Sequence, residues 1–257
     1  MIADSTYIAR RLQRLGDWDA ALALLGPDDD PEVRADIAVE RWFFRIEDHD
    51  EAERAVAALD PASAVAQLLT ARLAYSRLLF RRDVRPDDRA VSEAAYRAAA
   101  AAARDESERG WVEFHWAVLL DNIDDDFAAA RPHYDAALDI AHSTGDGLLE
   151  SIVIRHTAQR EEDAATRIAT FRRSLHLRAA AGIRPQSLAA QAALAYNLPE
   201  DDPERAVLME TFRAGAEELR ITWLLSDHNV QKSAGLADQD AWDEDTAGQS
   251  ASASRST

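Results

Sequence analysis

Two stretches of this chain share one pattern. In residues 134–145 and again in 171–182, an aromatic residue, a leucine, an aliphatic residue and a glycine fall at the same offsets, 37 residues apart. A unit of that length cannot bury its own apolar face, so successive units must stack on one another. Ala, Leu, Arg and Glu, all strong helix formers, recur throughout and β-branched runs are few, which makes the units helical. Aspartate stands directly before proline at Asp30-Pro31, Asp60-Pro61 and Asp202-Pro203. Its side chain can take the unpaired N–H groups of a first turn, and proline at the next position has no N–H to lose. Each pair therefore reads as a helix start. Glycines at Gly16, Gly26, Gly145, Gly147 and Gly182 mark the turns between helices.

These marks predict helices over about 4–14, 18–25, 31–47, 50–58, 61–81, 86–104, 107–121, 126–143, 147–158, 161–181, 185–196 and 203–219, with a short piece near 221–226. Pro132 falls inside the eighth and is expected to kink it or delay its regular start. Beyond Leu236 the apolar periodicity stops and the chain turns acidic, then rich in Ser and Ala. Residues 1–236 read as one helical repeat domain and 237–257 as a disordered acidic tail.

Composition removes several function classes. The formal charge is −18, with 29 basic against 47 acidic residues, which argues against a phosphate-neutralising nucleic-acid surface and against anionic membranes. There is no cysteine, so disulfides, thiolate metal sites and a catalytic thiol are excluded. Lys232 is the only lysine, which leaves the helical region without a Schiff-base or P-loop lysine. The first residues lack a signal-peptide pattern, and no apolar run is long enough to span a bilayer. A cytoplasmic location is the expectation.

The segments LGDWDAALALL (15–25), HDEAERAVAALDP (49–61) and DFAAARPHYDAALDIAHSTGD (126–146) resemble tetratricopeptide (TPR) repeats: a helix pair with small and aromatic residues around the turn, early Ala in the second helix, and a closing Asp-Pro. The last of these, with 147–182, is similar to the longer kinesin-light-chain-like subtype. The resemblance covers about residues 4 to 225, with 62–110 departing most from the pattern. It implies an all-α, right-handed α-solenoid of about six antiparallel helix pairs. It also implies that first helices line the concave face, where the family binds protein or peptide segments.

Aligning units on their closing glycines puts His115-Trp116, Arg155-His156 and Ala192-Ala193 at equivalent places on successive first helices, where the resembled subtype often has paired asparagines. Trp111 and Ser151 lie one helical turn earlier on the same faces. Trp111, His115, Trp116, Ser151, Arg155 and His156 are thus the candidate ligand-binding residues. Arginine supplies a fork of donors for an anionic group and tryptophan a flat apolar surface. The structural alternative is that Trp116 packs between helices and that His115 or His156 is a satisfied interior histidine. His133, His142 and His176 fall on second helices, where exposure is expected. No H-E-x-x-H element occurs, so no metal or cofactor is expected, and the acidic runs at Asp28–Asp30, from Asp121 to Asp126 and at Glu200–Asp202 read as solvated helix caps.

No nucleophile elbow, dinucleotide fingerprint or P-loop is present. The expectation is a non-catalytic scaffold or adaptor that holds a protein or peptide in its groove. The alternative is a ligand- or peptide-sensing regulator which, having no helix-turn-helix, would act through a protein partner. A third reading, an enzyme using His115 or His156 as acid or base, lacks a partner nucleophile or orienting carboxylate.

Overall fold

The computed structural model describes residues 4–225. They form thirteen α-helices and no strand: α1 (Ser5–Leu15), α2 (Trp18–Leu24), α3 (Pro31–Arg45), α4 (His49–Ala57), α5 (Ala64–Phe80), α6 (Asp88–Ala102), α7 (Glu106–Asn122), α8 (Phe127–Thr144), α9 (Gly147–Ala158), α10 (Ala164–Ala181), α11 (Arg184–Asn197), α12 (Pro203–Leu219) and α13 (Thr222–Leu225). The tail expected at 237–257 and the boundary at 236 lie outside the described residues.

Aspartates make most of the helix starts. Asp4, Asp17, Asp30, Asp105, Asp126, Asp146, Asp163 and Asp202 each accept a first-turn N–H of the following helix. A cap of this kind contributes about 0.5–2 kcal/mol. Asp60-Pro61 behaves differently: Asp60 closes a turn onto the N–H of Ala62, and Ser63 caps α5. Nor does Pro132 delay α8, which begins at Phe127 and runs through it. The bond that Pro132 cannot make would have engaged the carbonyl of Ala128, an exposed residue whose oxygen water can reach.

Helices pack in adjacent pairs: α1 with α2, α3 with α4, α5 with α6, α7 with α8, α9 with α10 and α11 with α12. The first members also touch in series, α1 on α3, α3 on α5, α5 on α7 and α7 on α9. They form an inner layer, and the second members lie outside it. Two apolar cores result. One follows α5 to α9 and includes Tyr96, Leu119, Tyr134 and Leu149. The other joins the beginning of the described chain to its end, with Trp18, Phe44, Leu194 and Trp223 in one cluster. The rings of Trp18 and Phe44 stack at 5.5 Å, and those of Phe44 and Trp223 at 6.3 Å.

This second core exists because the inner layer closes on itself, with α11 against α1 and α13 against α3. The α1–α2 turn is where the closure is tightest. Gly16 sits there at φ 83°, and a Cβ on it would lie 2.8 Å from Leu219 Cδ1 and 3.1 Å from Pro185 Cγ. Only glycine gives both the left-handed backbone and the space. Polar contacts reinforce the join: Asp19 receives Arg41 at 3.0 Å, Arg45 at 2.7 Å and Arg220 at 2.7 Å. None of the described helices is long and apolar enough to cross a membrane.

Candidate functional site

Closing the inner layer leaves a cavity of about 750 Å³ at its centre. Every inner helix from α1 to α11 contributes to its wall, and Trp223 of α13 joins them. Aromatic side chains supply much of the surface: Phe43, Phe44, Tyr75, Phe80, Trp111, Phe114 and Trp223. Five arginines, Arg10, Arg14, Arg72, Arg155 and Arg178, face it against two carboxylates, Asp36 and Glu40. A chain of net charge −18 thus encloses a cavity lined with excess positive charge.

Both carboxylates lie on α3, one turn apart. Asp36 is within ion-pair reach of Arg10 and of Arg72, the latter at 3.1 Å, and takes a hydrogen bond from Gln13 at 3.0 Å. Burial works to raise its pKa, and the two guanidinium groups outweigh it, so the group stays below the usual carboxylate range. Glu40 receives the other hydrogen of the Gln13 amide nitrogen. Burial, with the negative charge of Asp36 beside it, pushes Glu40 up to about 7.

On α9 and α10 the wall holds no carboxylate. Arg155 Nη1 lies 3.1 Å from His156 Nε2. Because a guanidinium only donates, His156 accepts through Nε2 and its neutral ring carries the proton on Nδ1. Among the described residues that buried Nδ1 has no partner. Burial, followed by Arg155, Arg178 and His115, holds His156 well below the ordinary histidine range. Its ring stacks on Tyr134 at 5.8 Å and meets Phe114 edge-on at 5.5 Å. His115 is likewise pushed well down, by burial first and then by Arg72, and it packs against Phe114 and Trp111. Both imidazoles are therefore neutral at pH 7.

Four of the six residues singled out in the sequence, Trp111, His115, Arg155 and His156, line this one cavity. Trp111 is held in place by its Nε1–H, which donates to Asp146 Oδ2 at 3.1 Å, while Asp146 Oδ1 caps α9. The other two do not line it. Trp116 turns outward and stacks on His133 at 4.7 Å, beneath Arg97. His133 is accordingly covered, and its Nδ1 lies 2.6 Å from Glu113, whereas His142 and His176 are exposed. Ser151 is fully buried behind the wall, donating to the Leu148 carbonyl and accepting from Arg178 Nε at 3.3 Å.

Arg10, Gln13, Asp36, Glu40, Arg72 and Arg178 are cavity residues that the sequence reading missed. The first five belong to α1, α3 and α5, outside the units aligned on Gly145 and Gly182. Their signal was polar residues at helical spacing within apolar inner helices, as in Asp36 and Glu40 or Arg72 and Ser76. Arg178 carried no such signal, since it reaches inward from an outer helix. Among the described residues no group of three His, Asp or Glu side chains is arranged to hold a metal ion. No protein-family model, curated protein or solved structure matches the chain.

Proposed function

We propose that this is a non-catalytic binding protein of TPR-like solenoid architecture, and that it holds a compact ligand in the cavity at the centre of its inner helices. The observation that carries this reading is the cavity itself. It is built by every inner helix, and its volume of about 750 Å³ falls in the range of small-molecule sites. A long peptide needs an open groove, and contact between α1 and α11 closes the inner layer. A small molecule, or the end of a peptide, suits the enclosed space. The neutral histidines support binding over catalysis, because among the described residues neither hydrogen-bonds a carboxylate or hydroxyl that would orient it as a base.

Regulation is compatible with the same site. Trp223 belongs to the wall and also to the core that joins α13 to α3. A ligand touching that ring would stabilise the closed arrangement and be sensed at the surface where the last helices meet the first. This is the sensor reading, and it acts through a protein partner.

A thermal-shift screen of small metabolites and short peptides tests the proposal, since a ligand that binds only the folded state raises the melting temperature. Ala189 lines the cavity, and Ala189→Trp projects an indole ring into it where it would compete with a ligand for the space. Ligands that stabilise the parent protein should lose that effect in the variant. If Ala189→Trp folds and keeps every stabilising ligand, the cavity is not the site.

A further inference from the structure

We propose, on the reading of the cavity as a ligand site, that the α9–α10 part of its wall seats an anionic group of the ligand, a carboxylate or a phosphate. Arg155 and Arg178 are its cationic partners, and Trp111 and Phe114 provide the adjoining apolar surface.

Arg178 carries most of the argument. It is 2 % exposed, yet it bonds only neutral oxygens: Nε to Ser151 Oγ at 3.3 Å, and Nη1 to the Gln186 carbonyl at 3.0 Å and Gln186 Oε1 at 3.2 Å. Other buried arginines of this chain are treated differently. Arg41 faces Asp19, Asp48 and Glu51; Arg45 faces Asp19; and Arg77 faces Asp88 and Glu53. With 47 carboxylates in the sequence, acid is not scarce, and yet among the described residues none pairs with Arg178. A guanidinium taken out of water without a counter-charge is costly to the fold, and an incoming anion relieves that cost.

The local geometry prepares the group for such a partner. Ser151 and Gln186 fix two edges of the guanidinium, so its plane is set before anything binds, and Nη2 makes no bond within the described residues. Arg155, 7 % exposed, lies on the neighbouring helix and adds its charge to the same part of the wall. The repulsion between them is visible in Arg178, whose pKa is brought down first by burial and then by Arg155. His156 contributes an Nδ1–H that has no acceptor among the described residues. Arg155, His156 and Arg178 thus give the α9–α10 part of the wall donors and positive charge, and no carboxylate lines that part of the cavity. Ser151 is a positioning residue here: it acts through Arg178.

The test uses three ligands of one shape, 2-naphthoate, 2-naphthyl phosphate and the neutral 2-naphthamide, titrated calorimetrically into the full chain. At least one anion should bind the parent protein about tenfold or more tighter than the amide, the value of a charge-assisted hydrogen bond in a buried site. Whichever anion is favoured names the group. Arg178→Gln should bring anion and amide to within about twofold of each other, and Arg178→Lys should restore part of the preference. Should Arg178→Gln fail to fold, the comparison within the parent protein and the Arg155→Gln variant decide. Amide binding with no anion preference overturns the seat and leaves the cavity reading intact. A preference that survives both Arg178→Gln and Arg155→Gln also overturns it. If none of the three binds and the thermal-shift screen finds nothing, the cavity reading falls and the seat with it.

Discussion

Arg45 Nε donates to the carbonyl oxygen of Leu219 at 3.0 Å, joining α3 to the last turn of α12 across 174 residues of sequence. The carbonyls at a helix C-terminus have no intrahelical partner, and this one is satisfied by a side chain from the opposite end of the chain. The same guanidinium reaches Asp19 at 2.7 Å and lies 5.1 Å from the Trp18 ring centroid. Arg45→Met keeps the length of the stem and removes these bonds. The expected cost is about 2–4 kcal/mol in chemical denaturation. Backbone amides of α12 and α13 should lose hydrogen-exchange protection before those of α7 and α8. Uniform loss across all helices would mean that Arg45 does not hold the ends together.

Gly16 gives a second measure of the same join. At Gly16 a side chain meets both a left-handed φ and Leu219, whereas at Gly182, with φ 69°, nothing lies within 4 Å of an added Cβ. Gly182→Ala should therefore cost about 1 kcal/mol, the backbone penalty alone. Gly16→Ala adds overpacking against α12 and α11 and should cost about 2–4 kcal/mol. Equal melting temperatures for the two variants would show that the close approach to Leu219 relaxes freely.

The contrast between these two glycines also shows what sequence can and cannot reveal. Both announce a helix end, because the left-handed turn is local and glycine is its ordinary residue. Only one is also a contact between distant helices, and no local pattern carries that. The helices themselves were legible from Asp caps and Gly turns, and four wall residues from aligning the units on Gly145 and Gly182. Trp116, named with them, lies off the wall because adjacent residues on a helix point about 100° apart, so the register that brings His115 inward turns its neighbour toward α8. Arg178 escaped because its side chain is long enough to cross from an outer helix, which a rule about inner helices ignores. The return of α11 to α1 depends on small rotations summed over successive units, and no single residue encodes it.

Arg77 and Asp88 form a buried ion pair, 4 % and 1 % exposed, in which Asp88 also accepts the Arg85 N–H at 2.8 Å and Arg77 reaches Glu53 at 2.9 Å. Arg77→Met strands the carboxylate and should destabilise by about 3–5 kcal/mol. Adding Asp88→Asn should recover part of that loss, since the amide oxygen still accepts from Arg85. Burial tends to raise the pKa of Asp88, and Arg77 with the Arg85 N–H bring it below the usual 3.8. A carboxyl depressed in the folded state stabilises above its unfolded pKa, and that contribution disappears as pH falls through the folded value. The parent protein should therefore lose stability below about pH 4 more steeply than the double variant. Parallel acid-unfolding curves would count against the pair as a source of that slope.

Glu40 has the opposite sign. Burial and the charge of Asp36 raise it from 4.5 to about 7, so the folded protein holds a proton there that the unfolded chain has released. The folded state binds more protons between those values, and stability falls as pH rises through that interval. The group's favourable contribution is complete below pH 4.5 and gone above pH 7. Glu40→Gln keeps an acceptor for Gln13 and carries no charge at any pH. At pH 8 the variant should be more stable than the parent by about 1–3 kcal/mol, discounted from the full shift because the side chain is partly exposed. Near pH 4 the two should melt together. Thermal unfolding of both proteins at intervals from pH 4 to pH 8 reads this directly, and a stability difference that stays constant over the series would show that Glu40 is already ionised in the folded protein at low pH.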